Sequence, residues 1–369
     1  MPYLRKRGKK WYYTIEISTE GGKRKRKEVA GGTTKAEAAA AYAQAVVALQ
    51  GTGSYFEPTK KTVADYFAEW FDVYCPHNVH KNTEATYRRM ARLHIIPAIG
   101  DMKLKAVKPT DLQALMNSLQ QKGLSRSTLG IILTVIKRAF AYAADFAEYI
   151  QKDPAQNVRI PRDAATGSPS HAFTQDQVQQ ILKRYPPGHA FRLPILIAYY
   201  TGARVGEICA LTWQDVDFDA REIHIDKTVI EVNGPEVQPA PKTSGSRRVI
   251  PYGRALQDLL KMQRKGQLIN ALKYGAPPPV FVCQSARGGT LVPSLFTSFN
   301  KWARRTFGPG YTFHSLRHTH ATMLLEAGED LEVVSKRLGH TNINTTAKTY
   351  SHILEKRKAK TVKLLDDIL

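Results

Sequence analysis

Cysteine is scarce: Cys75, Cys209 and Cys283 are the three in 369 residues, far apart and without a Cys-x-x-Cys pair. That spacing excludes a disulfide framework and a cysteine-built zinc site, and it suits a reducing compartment. Long hydrophobic runs are missing as well. No stretch approaches the roughly 18 consecutive apolar residues of a spanning helix, and the opening Met-Pro-Tyr-Leu-Arg-Lys-Arg is not followed by an apolar h-region. Export and membrane insertion are therefore not expected, and a cytoplasmic location is. Negative charge is the third shortage. The 32 Asp plus Glu stand against 54 Lys plus Arg, a formal +22 on a chain whose 43% apolar content is ordinary for a folded protein. No internal repeat or low-complexity tract is visible, which argues against a solenoid.

What is present is positive charge along the whole chain: a net +7 in residues 1–56, +5 in 61–163 and +10 in 164–369. A polyanion contacted throughout would account for this, because each Lys or Arg that neutralises a phosphate releases condensed counterions. Nucleic acid is the leading partner. An acidic membrane surface comes second, since no basic amphipathic helix flanked by lipid-facing aromatics is found.

Three domains are expected: 1–56, 61–155 and 170–369. In the first, Trp11, Tyr13, Ile15 and Ile17 alternate with Tyr12, Thr14, Glu16 and Ser18 in a strand pattern. Glu20-Gly21-Gly22 turns into the basic run Lys23, Arg24, Lys25, Arg26 and Lys27. Gly31-Gly32 turns again before Thr34, which with Glu37 forms a capping box ahead of an Ala-rich helix. A small three-stranded sheet backed by one helix follows, with the basic run set for a DNA major groove. Gly51 to Lys61 reads as a linker. Beyond it Val63, Tyr66, Phe67, Trp70 and Tyr74 recur at helical spacing, a helix near 85–93 offers Arg88, Arg89 and Arg92 to DNA, and a long apolar helix starts near Ser127. The Trp and Tyr stripe reads as plain core of a helical bundle. Asp153 to Ser170, rich in Pro, Ala and charge, reads as a second linker. In the last segment Thr174 and Gln177 form another capping box, Arg221–Val232 reads as a hairpin turning toward Asn233-Gly234, and helices dominate to the end. The class is α+β, mainly α.

The reactive residue types of this last segment come in a definite order. Arg204 lies in Thr-Gly-Ala-Arg-Val-Gly-Glu at a helix start, and Lys242 in Pro-Lys-Thr-Ser-Gly-Ser-Arg-Arg-Val-Ile-Pro, a loop entering a strand. His314 and Arg317 share a helical face in His-Ser-Leu-Arg-His-Thr-His. His340 ends Leu-Gly-His, and Tyr350 follows in Thr-Tyr-Ser-His. In these blocks the chain resembles the tyrosine recombinases, above all the lambda-type integrases of phages and integrative elements, whose pattern is Arg, Lys, His-x-x-Arg, His or Trp, then Tyr. All six positions are filled, and the likeness runs over essentially the whole chain.

The resemblance implies an arm-binding sheet, a helical core-binding domain and a mainly helical catalytic domain with a small sheet. It implies Tyr350 as nucleophile, Arg204 and Arg317 as phosphate clamp, His340 and His314 on non-bridging oxygens with His314 also able to accept the tyrosine proton, and Lys242 as acid for the departing 5′ oxygen. The residue types suit those roles. A phenol of pKa about 10 needs positioning and a base, and a guanidinium donates two parallel hydrogen bonds at any working pH. Glu207 is expected to orient basic side chains, with His318 and His320 structural. The reaction would run through a 3′-phosphotyrosine and a Holliday junction, without ATP, metal or other cofactor. The implied partners are double-stranded DNA at core and arm attachment sites, three more copies of the chain docked through the tail after Tyr350, and an excision factor or DNA-bending protein of a bacterial host.

Taken singly, each of these residues has a commonplace reading, and the joint pattern is what carries weight. His314 and His318 stand at the i, i+4 spacing of zinc ligands, but no Glu accompanies them and Arg317 lies between. Two functional alternatives share most of the features: a type IB topoisomerase, and a DNA-binding regulator without catalysis. The arm segment and tail favour the integrase over the first; the retained Tyr350 and arginines favour it over the second.

Overall fold

The computed structural model describes residues 3–20, 23–52, 59–232, 234–239, 247–285, 287–340, 342–351 and 353. The chain divides into two units, Met1–Gly167 and Ser168–Leu369.

In the first unit, β1 (Tyr3–Arg7), β2 (Lys10–Glu20) and β3 (Lys23–Gly32) form an antiparallel sheet in that order. Strand alternation puts Tyr13 and Ile15 of β2 in the interior with Ala38 of α1 (Lys35–Thr52). The expected capping box opens α1: Glu37 N donates to Thr34 Oγ1 at 3.2 Å, and the Glu37 carboxylate accepts from the amides of Thr33 and Thr34.

The helical part runs α2 (Val63–Val73), α3 (Cys75–Asn78), α4 (Lys81–Met90), a π-turn over Ala91–Ile95 ahead of Pro97, α5 (Ile96–Ile99), α6 (Pro109–Gln121) and α7 (Arg126–Asp145). Val63, Tyr66, Phe67 and Trp70 lie in one core with Leu112, Met116, Leu129, Ile132, Ile136 and Phe140, so the aromatic stripe is core. By length and composition α7 could cross a bilayer, but here its apolar stripe closes this bundle. The segment 153–164 differs from a linker. Ala155, Val158 and Ala164 are buried in the same core, and Arg159 and Gln113 exchange two hydrogen bonds of 3.0 and 3.1 Å. Pro154 and Pro161 deny the strap a helix without making it loose.

In the second unit, α8 (Gln175–Arg184), α9 (Arg192–Thr201) and α10 (Val205–Ala210) lead to a sheet of β4 (Val216–Asp217), β5 (Glu222–Ile225) and, later, β8 (Arg248–Pro251). Between them β6 (Lys227–Glu231) and β7 (Pro235–Pro239) make a separate antiparallel hairpin. The Arg221–Val232 stretch is therefore divided at Asp226 between two sheets. Gly206 makes room for this: a Cβ there would stand 2.6 Å from Thr228 Oγ1, so β6 can approach α10 because the side chain is missing. Helices α11 (Arg254–Lys273), α12 (Thr297–Phe307), α13 (Ser315–Glu326), α14 (Leu331–Leu338) and α15 (Ile343–Thr349) follow. The architecture is mainly helical with small antiparallel sheets, as expected.

Candidate active site

Two helix ends build the frame. Helices α9 and α14 both stop at a left-handed glycine, Gly202 (φ 68°) and Gly339 (φ 71°), which turns the chain and leaves the last carbonyls exposed. At Gly202 a Cβ would also fall 2.8 Å from His320 and Leu338 carbon atoms, so the position excludes any larger residue. The freed carbonyls hold both expected clamp residues. Arg317 Nη1 donates to Gly202 O at 2.7 Å and Nη2 to Leu338 O at 2.6 Å, while Arg204 Nη2 donates to Gly339 O at 3.2 Å. Cations at helix C-termini are also favoured by the helix dipole.

Glu207 completes this frame. Its carboxylate accepts the backbone N–H of Arg204 at 2.8 Å, Arg204 Nη1 at 2.9 Å, and a two-pronged contact from Arg248 at 3.0 and 2.7 Å. Burial alone would raise the Glu207 pKa, but Arg248 and then Arg204 hold it below the usual carboxylate range. Glu207 thus orients basic side chains, as its place three residues after Arg204 suggests. Arg248 carries no distinguishing signal in the sequence beyond its place in the Arg-Arg pair after Lys242. It anchors the start of β8, with Nε donating to Arg337 O at 2.8 Å. Two guanidinium groups, Arg204 and Arg248, share one carboxylate, and Arg317 adds a third positive charge nearby, an excess that a phosphate would neutralise. Burial and the nearby Arg204 already lower the Arg317 pKa to about 9.

The histidines and tyrosine stand around these cations. His314 opens α13. His340 follows Gly339, with Nδ1 2.7 Å from Thr346 Oγ1, itself 3.0 Å from Ser335 Oγ. Burial, then the charges of Arg317 and Arg204, lower both His314 and His340 to about 4. Tyr350 caps α15 and is 3% exposed, packed with Ala321, Leu325, Val334, Leu338 and Ile353. Burial pushes its phenol up to about 12, against the pull of Arg317. Its hydroxyl lies 3.0 Å from His318 Nδ1. His318, read from the sequence as structural, is therefore the histidine that touches the expected nucleophile. The signal was the i, i+4 spacing from His314, which places it one turn along the same face. His320 does serve structure: Nδ1 meets Tyr199 O at 2.8 Å and Nε2 accepts from Arg337 Nε at 2.9 Å.

Five of the six motif residues thus gather in one place. Lys242 lies outside the described residues, as does the tail from 354 onward. Of the DNA-contact candidates, Arg89 and Arg92 are exposed. Arg88 is engaged within the bundle, paired with Glu84 at 2.8 Å and Asp72 at 3.1 Å and donating to Phe71 O. The run Lys23–Lys27 lies in β3, with Arg26 in register with Glu16 and Lys27 with Ile15.

The sequence pattern of the phage integrase family matches residues 171–357, and that of the phage integrase N-terminal SAM-like domain matches residues 62–120. A tyrosine recombinase XerC-like protein of Caldanaerobacter subterraneus is 30% identical over 98% of this chain and 97% of its own. The chain belongs to the phage integrase family of tyrosine recombinases. Such a recombinase is a DNA-breaking and -rejoining enzyme. Among solved structures, the Tn1549 transposon integrase in complex with a circular intermediate DNA matches with a TM-score of 0.63 at 25% identity, over 79% of this chain and 95% of that one. A lambda integrase tetramer bound to a Holliday junction shares the fold, with a TM-score of 0.59 at 17% identity over 94% of each chain.

Proposed function

We propose that this recombinase cuts and rejoins DNA at specific sites to integrate and excise a mobile element, with Tyr350 as nucleophile. The observation that carries the reading is a buried phenol under the charge of Arg317, in a site where Arg317 and Arg204 are both fixed on helix-end carbonyls. Arg204 and Arg317 clamp the scissile phosphate, and His340 and His314 donate to its non-bridging oxygens, stabilising charge that grows in the transition state. Tyr350 Oη bonds to phosphorus, the 5′ oxygen departs with a proton from Lys242, and the bond energy is kept in a 3′-phosphotyrosine. A 5′ hydroxyl from the partner duplex then reverses the step. One exchange yields a Holliday junction, and a second resolves it. The Tn1549 integrase bound to circular intermediate DNA supports the substrate class. Four copies on two duplexes, joined through the tail, complete the reading, with an excision or DNA-bending protein as accessory. The basic charge and the three free thiols support a bacterial, nucleoid-associated location.

A half-site suicide duplex tests the reading: the recombinase should form a covalent complex that survives a denaturing gel, and a DNA bound only reversibly would refute it. On the same duplex Lys242→Ala should cleave roughly 10²- to 10⁴-fold more slowly while binding normally. A 5′-bridging sulfur, a better leaving group, should restore most of that loss, and no restoration would remove Lys242 from the acid role.

The N-terminal sheet carries its own expectation. Removing residues 1–56 should abolish gel-shift binding to arm sites and leave weak core-site binding. An unchanged arm-site shift would end the assignment of that sheet to the arms.

A further inference from the structure

We propose that His318, rather than His314, accepts the Tyr350 proton during attack, which makes it a catalytic residue of the reaction described above; the inference rests on Tyr350 being the nucleophile. Among the described residues His318 is the side chain that hydrogen-bonds the Tyr350 hydroxyl, at 3.0 Å from Nδ1, with the rings 6.0 Å apart. With Tyr350 only 3% exposed, His318 is better placed than bulk water to collect its proton. His314 stands one turn earlier, at the mouth of the site, its ring edge-on to His318 at 5.1 Å.

The two histidines thereby divide the work. His314, nearer the clamp, donates to a phosphate oxygen. His318, deeper, serves the phenol. The groups facing His318 are His314 and Arg317 on its own helix, His340 after α14 and Tyr350 after α15. Burial first, then His314 and Arg317, keep its ring neutral at neutral pH, as a base must be.

The step balances without a further reactant. With its own proton on Nε2, the His318 Nδ1 lone pair takes the Oη proton and becomes imidazolium. The Oη electron pair forms the O–P bond, and the P–O5′ pair leaves on the 5′ oxygen, which is protonated by the acid. On religation the imidazolium returns its proton to the departing tyrosine.

The test is His318→Asn, whose amide reaches the Nδ1 position and keeps a hydrogen bond to Tyr350 but takes up no proton. Core-site binding should match the unaltered recombinase, while cleavage of the half-site duplex falls roughly 10²- to 10⁴-fold. Unlike the Lys242→Ala defect, this loss should persist on the 5′-bridging sulfur substrate. It should also shrink about tenfold per pH unit between about 7 and 9, as hydroxide replaces the missing base. Near-normal cleavage, or a slow rate equally slow at every pH, overturns the proposal. Should His318→Asn fail to bind the core site, His318→Ala with added imidazole serves instead. Acceleration by the free base supports the assignment, and no acceleration overturns it. An adduct that persists in Tyr350→Phe would instead sink the nucleophile itself, a separate failure.

Discussion

Tyr350→Phe should bind core-site DNA as tightly as the unaltered recombinase and form no covalent adduct on a suicide duplex. The substitution removes one oxygen. The ring keeps its place among Ala321, Leu325, Val334, Leu338 and Ile353, and the lost hydrogen bond to His318 is worth about 0.5–1.5 kcal/mol. The clamp is untouched, because Arg204 and Arg317 are tied to the carbonyls of Gly202, Leu338 and Gly339 and not to the phenol. What disappears is the nucleophile, a change on the order of 10⁶-fold for a covalent catalyst. A denaturing gel decides the matter, since an adduct in the variant would mean that another side chain attacks.

The second large effect belongs to a residue with no reactive role. Glu207→Ala should destabilise the catalytic unit by about 3–5 kcal/mol, because breaking a buried ion pair leaves the remaining charge uncompensated; Arg248 has a side chain only 6% exposed. Thermal unfolding should show a fall on the order of 10 °C, and cleavage should fall with it as Arg204 loses its partner. The pH dependence follows from the direction of the Glu207 shift. Its pKa is held below the unfolded value of about 4.3, so the unfolded chain binds the proton more readily. The stabilisation is complete above that value and is lost as pH falls through the lower, folded one. Melting curves at pH 3 to 6 should therefore show an acid-side loss that Glu207→Gln diminishes. An unchanged melting temperature in Glu207→Ala would mean that Arg204 and Arg248 hold their places without it.

Much of this was legible from residue order alone. The alternation of β2, both capping boxes and the aromatic stripe of α2 each depend on neighbours within a turn or two, so local patterning revealed them. The motif residues were legible because the chemistry demands those side-chain types in that order. What stayed hidden depended on distant packing. The strap at 153–164 has the composition of a linker, and only its fit against α6 and α7 shows otherwise. Helix α13 reads as polar, Ser-Leu-Arg-His-Thr-His, yet Arg317, Thr319 and His320 are buried because partners far along the chain satisfy them. The same holds for Arg248, defined by a glutamate 41 residues away, and for His318, defined by a tyrosine 32 residues away.

The anchoring of the two guanidiniums bears on how the protein searches a genome. A clamp fastened to its own backbone before any duplex arrives has no ordering left to do, so it can grip and release one phosphate after another while sliding, without rearrangement at each stop. Such a clamp also treats every phosphodiester alike. Restraint against nicking the countless wrong ones must therefore reside in groups other than the clamp.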